Sequence, residues 1–349
     1  MRIALICPAN ILYMPYVENY VSLLEKSKVN FDVINWDRFE MEDIDINCKY
    51  RDGKVGHQRS YLDYLKYKKF IIKRLNSEKY NKVVVFGIQL SYFLKKYLVN
   101  KYKGQYILDI RDSNKIIHYF NIKKIINNSK FVALSSSGYK EWLPKSDKYI
   151  INHNTQIENL SNLKHLNFNF KDKKLNISYI GALRDLEVNL EFIESLKNSV
   201  NISLFYHGEG VINKNIHKYV VKNNIQNVQL TGRYNRKDEG DLYYNSDVIN
   251  VLRYNDSINN KTALPNRLYN AVFQGKILLA LKGTYLAELV EMYNLGLTID
   301  SFSNLEERIY NYLNEFNVEQ YLSGRSSFLE FVIKDNEEFK FALINFISK

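Results

Sequence analysis

The sequence predicts an α/β protein made of two Rossmann-like domains, each with a parallel sheet, that face each other across a cleft. Short runs rich in Val, Ile and Leu alternate with amphipathic helical segments along the 349 residues. A polar, Asn-rich stretch over residues 155–174 interrupts this alternation and is typical of a domain boundary. The apolar content of 46% excludes wholesale disorder. We therefore predict domains over residues 1–160 and 171–325, with the linker near Lys171.

Cysteine content and hydropathy indicate the compartment. The two cysteines, Cys7 and Cys48, have neither metal-ligand spacing nor a disulfide framework, which fits a reducing cytoplasm. Met1 leads directly into an apolar strand without a signal-peptide pattern, and no run approaches the length of a membrane span. We expect a cytoplasmic protein.

The net charge of +11 is concentrated in one block. Residues 1–160 carry 27 Lys and Arg against 16 Asp and Glu, and residues 59–103 alone carry 12 against 2. The block includes a predicted helix over residues 60–75, with Tyr61, Leu65, Ile72 and Leu75 on its apolar side. A solvated polar face is one interpretation, and docking on an anionic membrane surface is the one that we favour because the charge is so localised. No recognition motif accompanies it, so nucleic acid is not expected as a partner.

The residues that follow two predicted strands of the first half indicate which ligands these strand ends could bind. No Gly-rich turn follows the strand over residues 2–7, which argues against a dinucleotide site there. The strand over residues 105–109 places Asp109, Arg111 and Asp112 at or just beyond its carboxyl end. Ligands of open α/β sheets bind at such carboxyl ends, so these residues are candidates for chemistry, although a structural ion pair is an equal alternative.

The second half contains three glycine-containing turns after predicted strands. Gly181 follows residues 176–180 and allows close approach of backbone to a phosphate, while Arg184 is placed to neutralise one. Gly208 opens a short G-x-G turn, and Arg233 and Tyr234 follow a third strand. An anionic ligand is the simplest expectation.

The pattern of residues 262–281 predicts, in chain order, a loop, a helix, a glycine turn and a buried strand. Pro265 is typical of a first helical turn, and Gly275 of a helix end. A helix start at Asn266 presents free N–H groups to an anion, and Arg267 adds a forked donor.

Residues 265–276, PNRLYNAVFQGK, resemble the P-x-K-L-x-E-x-x-x-x-G-K-P-V block of family-4-like nucleotide-sugar glycosyltransferases of the GT-B fold, many of which build bacterial capsular and surface polysaccharides. Two glutamates eight positions apart frame that block in the family, and the second one usually holds the donor's ribose. Thr262 and Asn270 occupy these positions here. Asn270 retains the ability to hydrogen-bond a hydroxyl.

The resemblance implies the roles of several residues and of the last helix. A helix over about residues 326–349 is expected to pack back on the N-terminal domain. Asp112, with Arg111 and Asp109, is the catalytic candidate, because relatives often carry a His-Asp pair there. Asn10, Tyr13 and His153 are candidates for the acceptor side, although His153 equally suits a structural tether. The implied donor site comprises Gly181, Arg184, Gly208, Arg233, Tyr234, Pro265, Asn266, Arg267 and Asn270.

The resulting hypothesis is a glycosyltransferase that moves a sugar from a nucleotide-diphosphate donor to a hydroxyl of a glycan. The expected acceptor is a polyprenyl-diphosphate-linked oligosaccharide at the inner face of the cell membrane, and the resemblance implies retention of configuration. Basic residues can stabilise the leaving diphosphate, so the hypothesis includes no metal. A GT-B-fold sugar-nucleotide epimerase is one alternative. A non-catalytic nucleotide-binding or scaffold member is the other, suggested by Thr262 and Asn270.

Overall fold

The structure is a computed structural model that describes residues 1–43, 48–161, 163, 168, 170 and 173–348. It divides into two compact units. The first contains residues 1–154 and 334–349, and the second contains residues 155–333. The predicted linker position Lys171 lies outside the described residues.

The first unit is built on a seven-stranded parallel sheet with the strand order β3-β2-β1-β4-β5-β6-β7. Its strands are β1 (Arg2–Cys7), β2 (Asn30–Trp36), β3 (Lys49–Tyr50), β4 (Lys82–Phe86), β5 (Tyr106–Ile110), β6 (Phe131–Leu134) and β7 (Tyr149–Ile151). Its α-helices are α1 (Glu18–Lys26), α2 (Tyr61–Ser77), α3 (Ile88–Lys101) and α4 (Ile122–Asn128). Short 3₁₀ turns cover Ile11–Tyr13, Pro15–Val17, Lys115–Tyr119 and Ser137–Glu141.

The second unit is built on a six-stranded parallel sheet with the order β10-β9-β8-β11-β12-β13. Its strands are β8 (Leu175–Ile180), β9 (Ile202–His207), β10 (Val228–Gly232), β11 (Val248–Asn250), β12 (Ile277–Leu281) and β13 (Gly296–Ile299). Its helices are α5 (Leu186–Leu196), α6 (Asn213–Lys222), α7 (Glu239–Tyr244), α8 (Ile258–Thr262), α9 (Asn266–Phe273), α10 (Tyr285–Met292) and α11 (Leu305–Asn314), with a 3₁₀ turn at Arg236–Asp238.

The last helix, α12 (Val318–Ser348), contributes to both units. Phe328 and Val332 belong to a core with β12 and α9 in the second unit. Phe339 and Phe346 belong to a core with β1, β4 and α1 in the first unit.

Burial explains where the sequence prediction of helices was wrong. The buried side of α2 carries Tyr64, Tyr67, Ile71 and Leu75, whereas Tyr61, which the prediction placed in the apolar face, is 56% exposed. Because tyrosines and lysines alternate along this helix, hydrophobic spacing alone did not fix which side packs on the sheet.

Other helices also differ from the prediction. Pro265 is extended and precedes α9 instead of forming its first turn, and α4 and α6 were not predicted.

Candidate functional site

Both sheets reverse their strand order at one point, and ligands of open α/β sheets bind at the carboxyl ends of the strands beside such a point. In the second unit this point lies between β8 and β11. Gly181 directly follows β8, and Arg253 lies three residues beyond β11. The site described below is built around these two strand ends.

Two glycine turns pack directly against each other at this edge. Gly181 donates its N–H to the carbonyl oxygen of His207 at 2.9 Å, and Gly208 donates to the carbonyl of Gly232 at 2.8 Å. Gly181 and Gly208 have φ angles of 124° and 128°. A Cβ on Gly208 would lie 2.0 Å from the carbonyl oxygen of Gly181, so only glycine allows this approach.

Arg267, in the first turn of α9, is buried with no hydrogen bond to any described residue. It is 7% exposed, and its guanidinium carbon lies 3.5 Å from the ring centroid of Tyr179. Its Nε atom is buried and unpartnered within the described part of the chain. The ring holds the guanidinium through a cation–π contact but leaves its N–H groups without acceptors.

Arg253 brings a second guanidinium to the same place. Its side chain is 12% exposed, its Nη2 atom lies 3.8 Å from Oδ2 of Asp185, and its Nε has no partner among the residues that the structure describes. Burial lowers the pKa of Arg253, and the positive charges of Arg267 and Arg184 lower it further, against the opposing effect of Asp185. Three positive charges therefore lie near one another, and Asp185 approaches Arg253 only to 3.8 Å, an arrangement that an anionic ligand would stabilise.

A carboxylate and a tyrosine also lie in the surroundings of Arg267. Asn270 donates its Nδ2–H to Oε1 of Glu239 at 3.1 Å. Burial and the charge of Glu239 raise the pKa of Tyr234 to about 12, and the charge of Arg267 opposes the increase. Glu239 thus accepts hydrogen bonds next to the arginines, beside the position where the resembling family carries a glutamate.

Of four further residues that the sequence analysis named in this domain, three are exposed and one is buried. Arg184 is exposed, and its backbone N–H donates to the Tyr179 hydroxyl at 3.2 Å. Arg233 is exposed just beyond β10, and Asn266 is exposed at the start of α9. Thr262 is buried and donates its hydroxyl to the carbonyl of Ile258 at 2.6 Å. This hydrogen bond lies within helix α8.

In the first unit, Asp109 and Arg111 form a closed ion pair. Asp109 is fully buried, its two oxygens lie 2.6 and 2.7 Å from Nε and Nη2 of Arg111, and Tyr20 donates to it at 2.7 Å. Arg111 also donates to the carbonyl of Asn152 at 2.8 Å. Burial alone would lower the pKa of Arg111, but the charge of Asp109 raises it above its ordinary value. Asp112, by contrast, is exposed.

The candidates for the acceptor side also lie in the first unit. Asn10 is fully buried, donates to Asp37 at 2.5 Å and accepts the N–H of Arg38 at 2.9 Å, so it orders the loop after β2. Tyr13 is 45% exposed, with its ring 5.4 Å from that of His57. His153 is buried with Nε2 2.9 Å from Oδ2 of Asp335, which ties β7 to the last helix.

Sequence reasoning missed Arg253 and Glu239. Arg253 was not considered as a site residue, although an arginine just beyond a buried strand was a usable signal. Glu239 gave no such signal, because nothing in the spacing relates it to Asn270. Within the described ranges, no group of three or more His, Cys, Asp or Glu could hold a metal ion, and no helix is long and apolar enough to cross a membrane.

Comparison with known proteins shows the fold. No family model and no curated protein sequence matches the chain. Among solved structures, it is similar to sucrose-phosphate synthase from Thermosynechococcus elongatus (TM-score 0.69, 14% identity, 98% of this chain and 96% of that chain). The fold is GT-B. The lipopolysaccharide outer core galactosyltransferase WaaB is also similar (TM-score 0.62, 15% identity, 99% of both chains). So is HepE of Anabaena in complex with UDP and glucose (TM-score 0.62, 11% identity, 99% of this chain and all of that chain, 100%).

The glycine contact predicts a difference between two alanine substitutions. Gly208→Ala should lower the thermal midpoint of unfolding by about 2–12 °C, because a strained φ of this kind costs about 1–3 kcal/mol before the clash is added. Gly240→Ala, in the first turn of α7 with open space around it, is the matched control and should leave the midpoint unchanged or raise it. Equal midpoints for the two variants, measured by circular dichroism, would contradict the contact.

Proposed function

We propose that the chain is a glycosyltransferase that transfers a sugar from a nucleoside-diphosphate donor to a hydroxyl of a glycan. The observation that carries the proposal is the pair of buried guanidinium groups, Arg253 and Arg267, that make no hydrogen bond to a described residue at the edge of β8 and β11. A diphosphate supplies the acceptors and the negative charge that they lack. The fold shared with transferases, one of them with UDP and glucose bound, supports this assignment.

In the proposed reaction, the bond between the anomeric carbon and the diphosphate oxygen breaks as a bond to the acceptor oxygen forms, and the proton of the acceptor hydroxyl passes to the leaving diphosphate. Arg253, Arg267 and the exposed Arg184 stabilise the charge that develops on the leaving diphosphate. Gly181 and Gly208 allow backbone to approach it, and Asn266 offers the N–H groups of the α9 start. Because basic residues supply the positive charge, the proposal includes no metal.

Glu239 and Asn270 are proposed to hold the hydroxyl groups of the donor. Their side chains meet beside Arg267, and a carboxylate next to an amide accepts and donates hydrogen bonds as a sugar diol requires. Tyr234 presents a half-buried ring to the base, with Arg233 beside it. Pro265 sets the start of α9.

The acceptor side is proposed for the first unit. Asp112, exposed at the end of β5, orients the acceptor hydroxyl, and the buried pair of Asp109 and Arg111 positions that strand end. We further propose that the acceptor is a polyprenyl-diphosphate-linked oligosaccharide of surface polysaccharide synthesis and that the anomeric configuration is retained. The resemblance of residues 265–276 and the fold shared with WaaB support these points.

Nucleotide binding tests the donor site directly. Arg253→Gln should weaken binding of the preferred nucleoside diphosphate by about tenfold or more, because a charge-assisted hydrogen bond contributes about 1.5–3 kcal/mol. Calorimetry with UDP, GDP and TDP identifies that nucleotide in the unsubstituted chain. Arg308→Gln, which removes an ion pair with Asp300, is the control and should bind normally. A chain that binds none of these nucleotides at millimolar concentration would refute the donor assignment.

The role of Glu239 requires a comparison of two ligands. Glu239→Gln should weaken binding of the nucleoside diphosphate by about tenfold but leave pyrophosphate binding unchanged, since only the nucleotide carries hydroxyl groups for the carboxylate. Arg253→Gln should weaken both. If Glu239→Gln affects pyrophosphate as strongly as the nucleotide, the residue acts on the arginines and not on the sugar.

Membrane association is proposed through one face of α2. Lys66, Lys69 and Lys73 are exposed at helical spacing below Leu62, which is 66% exposed, and they form no ion pair within the described ranges. An exposed apolar side chain above a row of lysines suits an anionic lipid surface. This face is the part of the block over residues 59–103 that we assign to the inner face of the cell membrane.

Vesicle sedimentation tests whether binding depends on this face of α2 or only on the net positive charge of the chain. Replacing Lys66, Lys69 and Lys73 together by Gln should release the protein from anionic vesicles, since each basic residue contributes about 1 kcal/mol. Replacing Lys214, Lys218 and Lys222, a comparable exposed row on α6, should not. Equal release of both triple variants would leave only non-specific attraction.

A further inference from the structure

The first unit contains a cavity of about 590 Å³ that the donor site does not use. It opens at the carboxyl edge of the sheet, near the point between β1 and β4 where the strand order reverses. Its volume lies within the range of about 300–1,000 Å³ that is usual for small-molecule sites. Its lining includes the cations Arg38, Lys54 and Arg59, the carboxylate of Asp63, and the polar side chains of Tyr64 and Gln89.

Two of the cations in this cavity are already matched by carboxylates. The Nζ atom of Lys54 lies 2.7 Å from Oδ2 of Asp63, and the Nε atom of Arg59 lies 2.7 Å from Oδ2 of Asp52. Arg59 also donates to the carbonyl oxygens of Gly56 and Gln58 at 2.8 and 2.7 Å. Arg59 therefore holds the loop around the cavity in place and has little capacity left for a ligand.

Arg38 is different, because its buried charge has no carboxylate partner among the described residues. It is 7% exposed, and its terminal nitrogens donate to the carbonyl of His57 at 2.8 Å and to the hydroxyl of Tyr64 at 2.9 Å. Its Nε has no partner in the described chain. The guanidinium lies 4.5 Å from the ring centroid of Trp36, which fixes its position. A buried cation without a counterion is costly unless a ligand supplies one.

Gln89 offers a second hydrogen-bond donor and is linked to Arg38 through Tyr64. The Tyr64 hydroxyl accepts a hydrogen bond from Arg38 and donates one to Oε1 of Gln89 at 2.9 Å. This arrangement leaves the amide N–H groups of Gln89 without a partner in the described chain. Arg38 and Gln89 thus line one side of the cavity with hydrogen-bond donors.

We propose that this cavity binds one oxyanionic group, a phosphate or a sugar carboxylate, of the acceptor. The inference rests on the proposed function, which places the acceptor on the first unit. It deepens that function by naming the acceptor as an acidic glycan. The oxyanion pairs with Arg38 and accepts from Gln89, while the cavity has room for the sugar that carries it.

Tryptophan fluorescence gives a local measurement of binding. The chain has two tryptophans, so Trp142→Phe leaves Trp36, beside Arg38, as the only reporter. Glucuronate and glucose 6-phosphate should each change its emission in a saturable way, and their relative affinities show which oxyanion the cavity prefers. Glucose, the neutral control, should bind at least about tenfold more weakly.

Two substitutions in the cavity separate binding from folding. Arg38→Gln should weaken the acidic ligands by about tenfold or more. Gln89→Glu should have the same effect while keeping the acceptor for Tyr64, since the new carboxylate pairs with Arg38 and repels the ligand. Gln226→Glu, on an exposed loop, and Arg253→Gln, in the second unit, are the controls and should bind as the parent does.

The proposal is overturned if glucose binds as tightly as glucuronate, or if Gln89→Glu binds the acidic ligands normally. It is also overturned if Arg253→Gln, and not Arg38→Gln, abolishes the response, since the ions would then occupy the donor site. Failure of the proposed function has a different signature. In that case no nucleoside diphosphate binds, although Trp36 still responds to glucuronate in an Arg38-dependent manner.

Discussion

A buried guanidinium group requires a counterion, and this requirement distinguishes the arginines that stabilise loops from those that line the candidate sites in both units. A buried charge is tolerated when a carboxylate and hydrogen bonds compensate for lost hydration. Arg111 meets this condition through Asp109 and the carbonyl of Asn152, and Arg59 meets it through Asp52 and several carbonyl oxygens. These two arginines stabilise their own loops. Their compensation is complete without a ligand.

Arg267, Arg253 and Arg38 do not meet the condition within the described chain. Each is held in place by neighbours that restrict its motion, such as the ring of Tyr179 under Arg267 and the ring of Trp36 beside Arg38. None of them has the carboxylate contact at hydrogen-bonding distance that Arg111 has. If anions bind at these positions as we propose, binding would compensate these charges and stabilise the folded chain.

The site around Asn270 shows how a chemical group can be supplied from a different element. The helix α9 presents an amide where the resembling family has a carboxylate, and α7 brings Glu239 to the same place. A position-by-position comparison with the motif shows that residue 270 lacks the carboxylate, but it does not show that Glu239 places a carboxylate beside it. The role that we propose for Glu239 therefore has no counterpart in the motif.

Local sequence was sufficient for the two parallel sheets, most strand positions, the glycine turns after β8 and β9, and the helix start at Asn266, because each depends on neighbouring residues and on periodic burial. The buried side of α2 was not determined locally, since tyrosines and lysines both recur along it and only packing on the sheet selects Tyr64 and Tyr67. The meeting of Arg253 with Arg267 and Asp185, and of Arg38 with Trp36 and Gln89, was decided by tertiary structure alone. Strand order brings these side chains to a common edge, and no local pattern encodes which strand ends become neighbours.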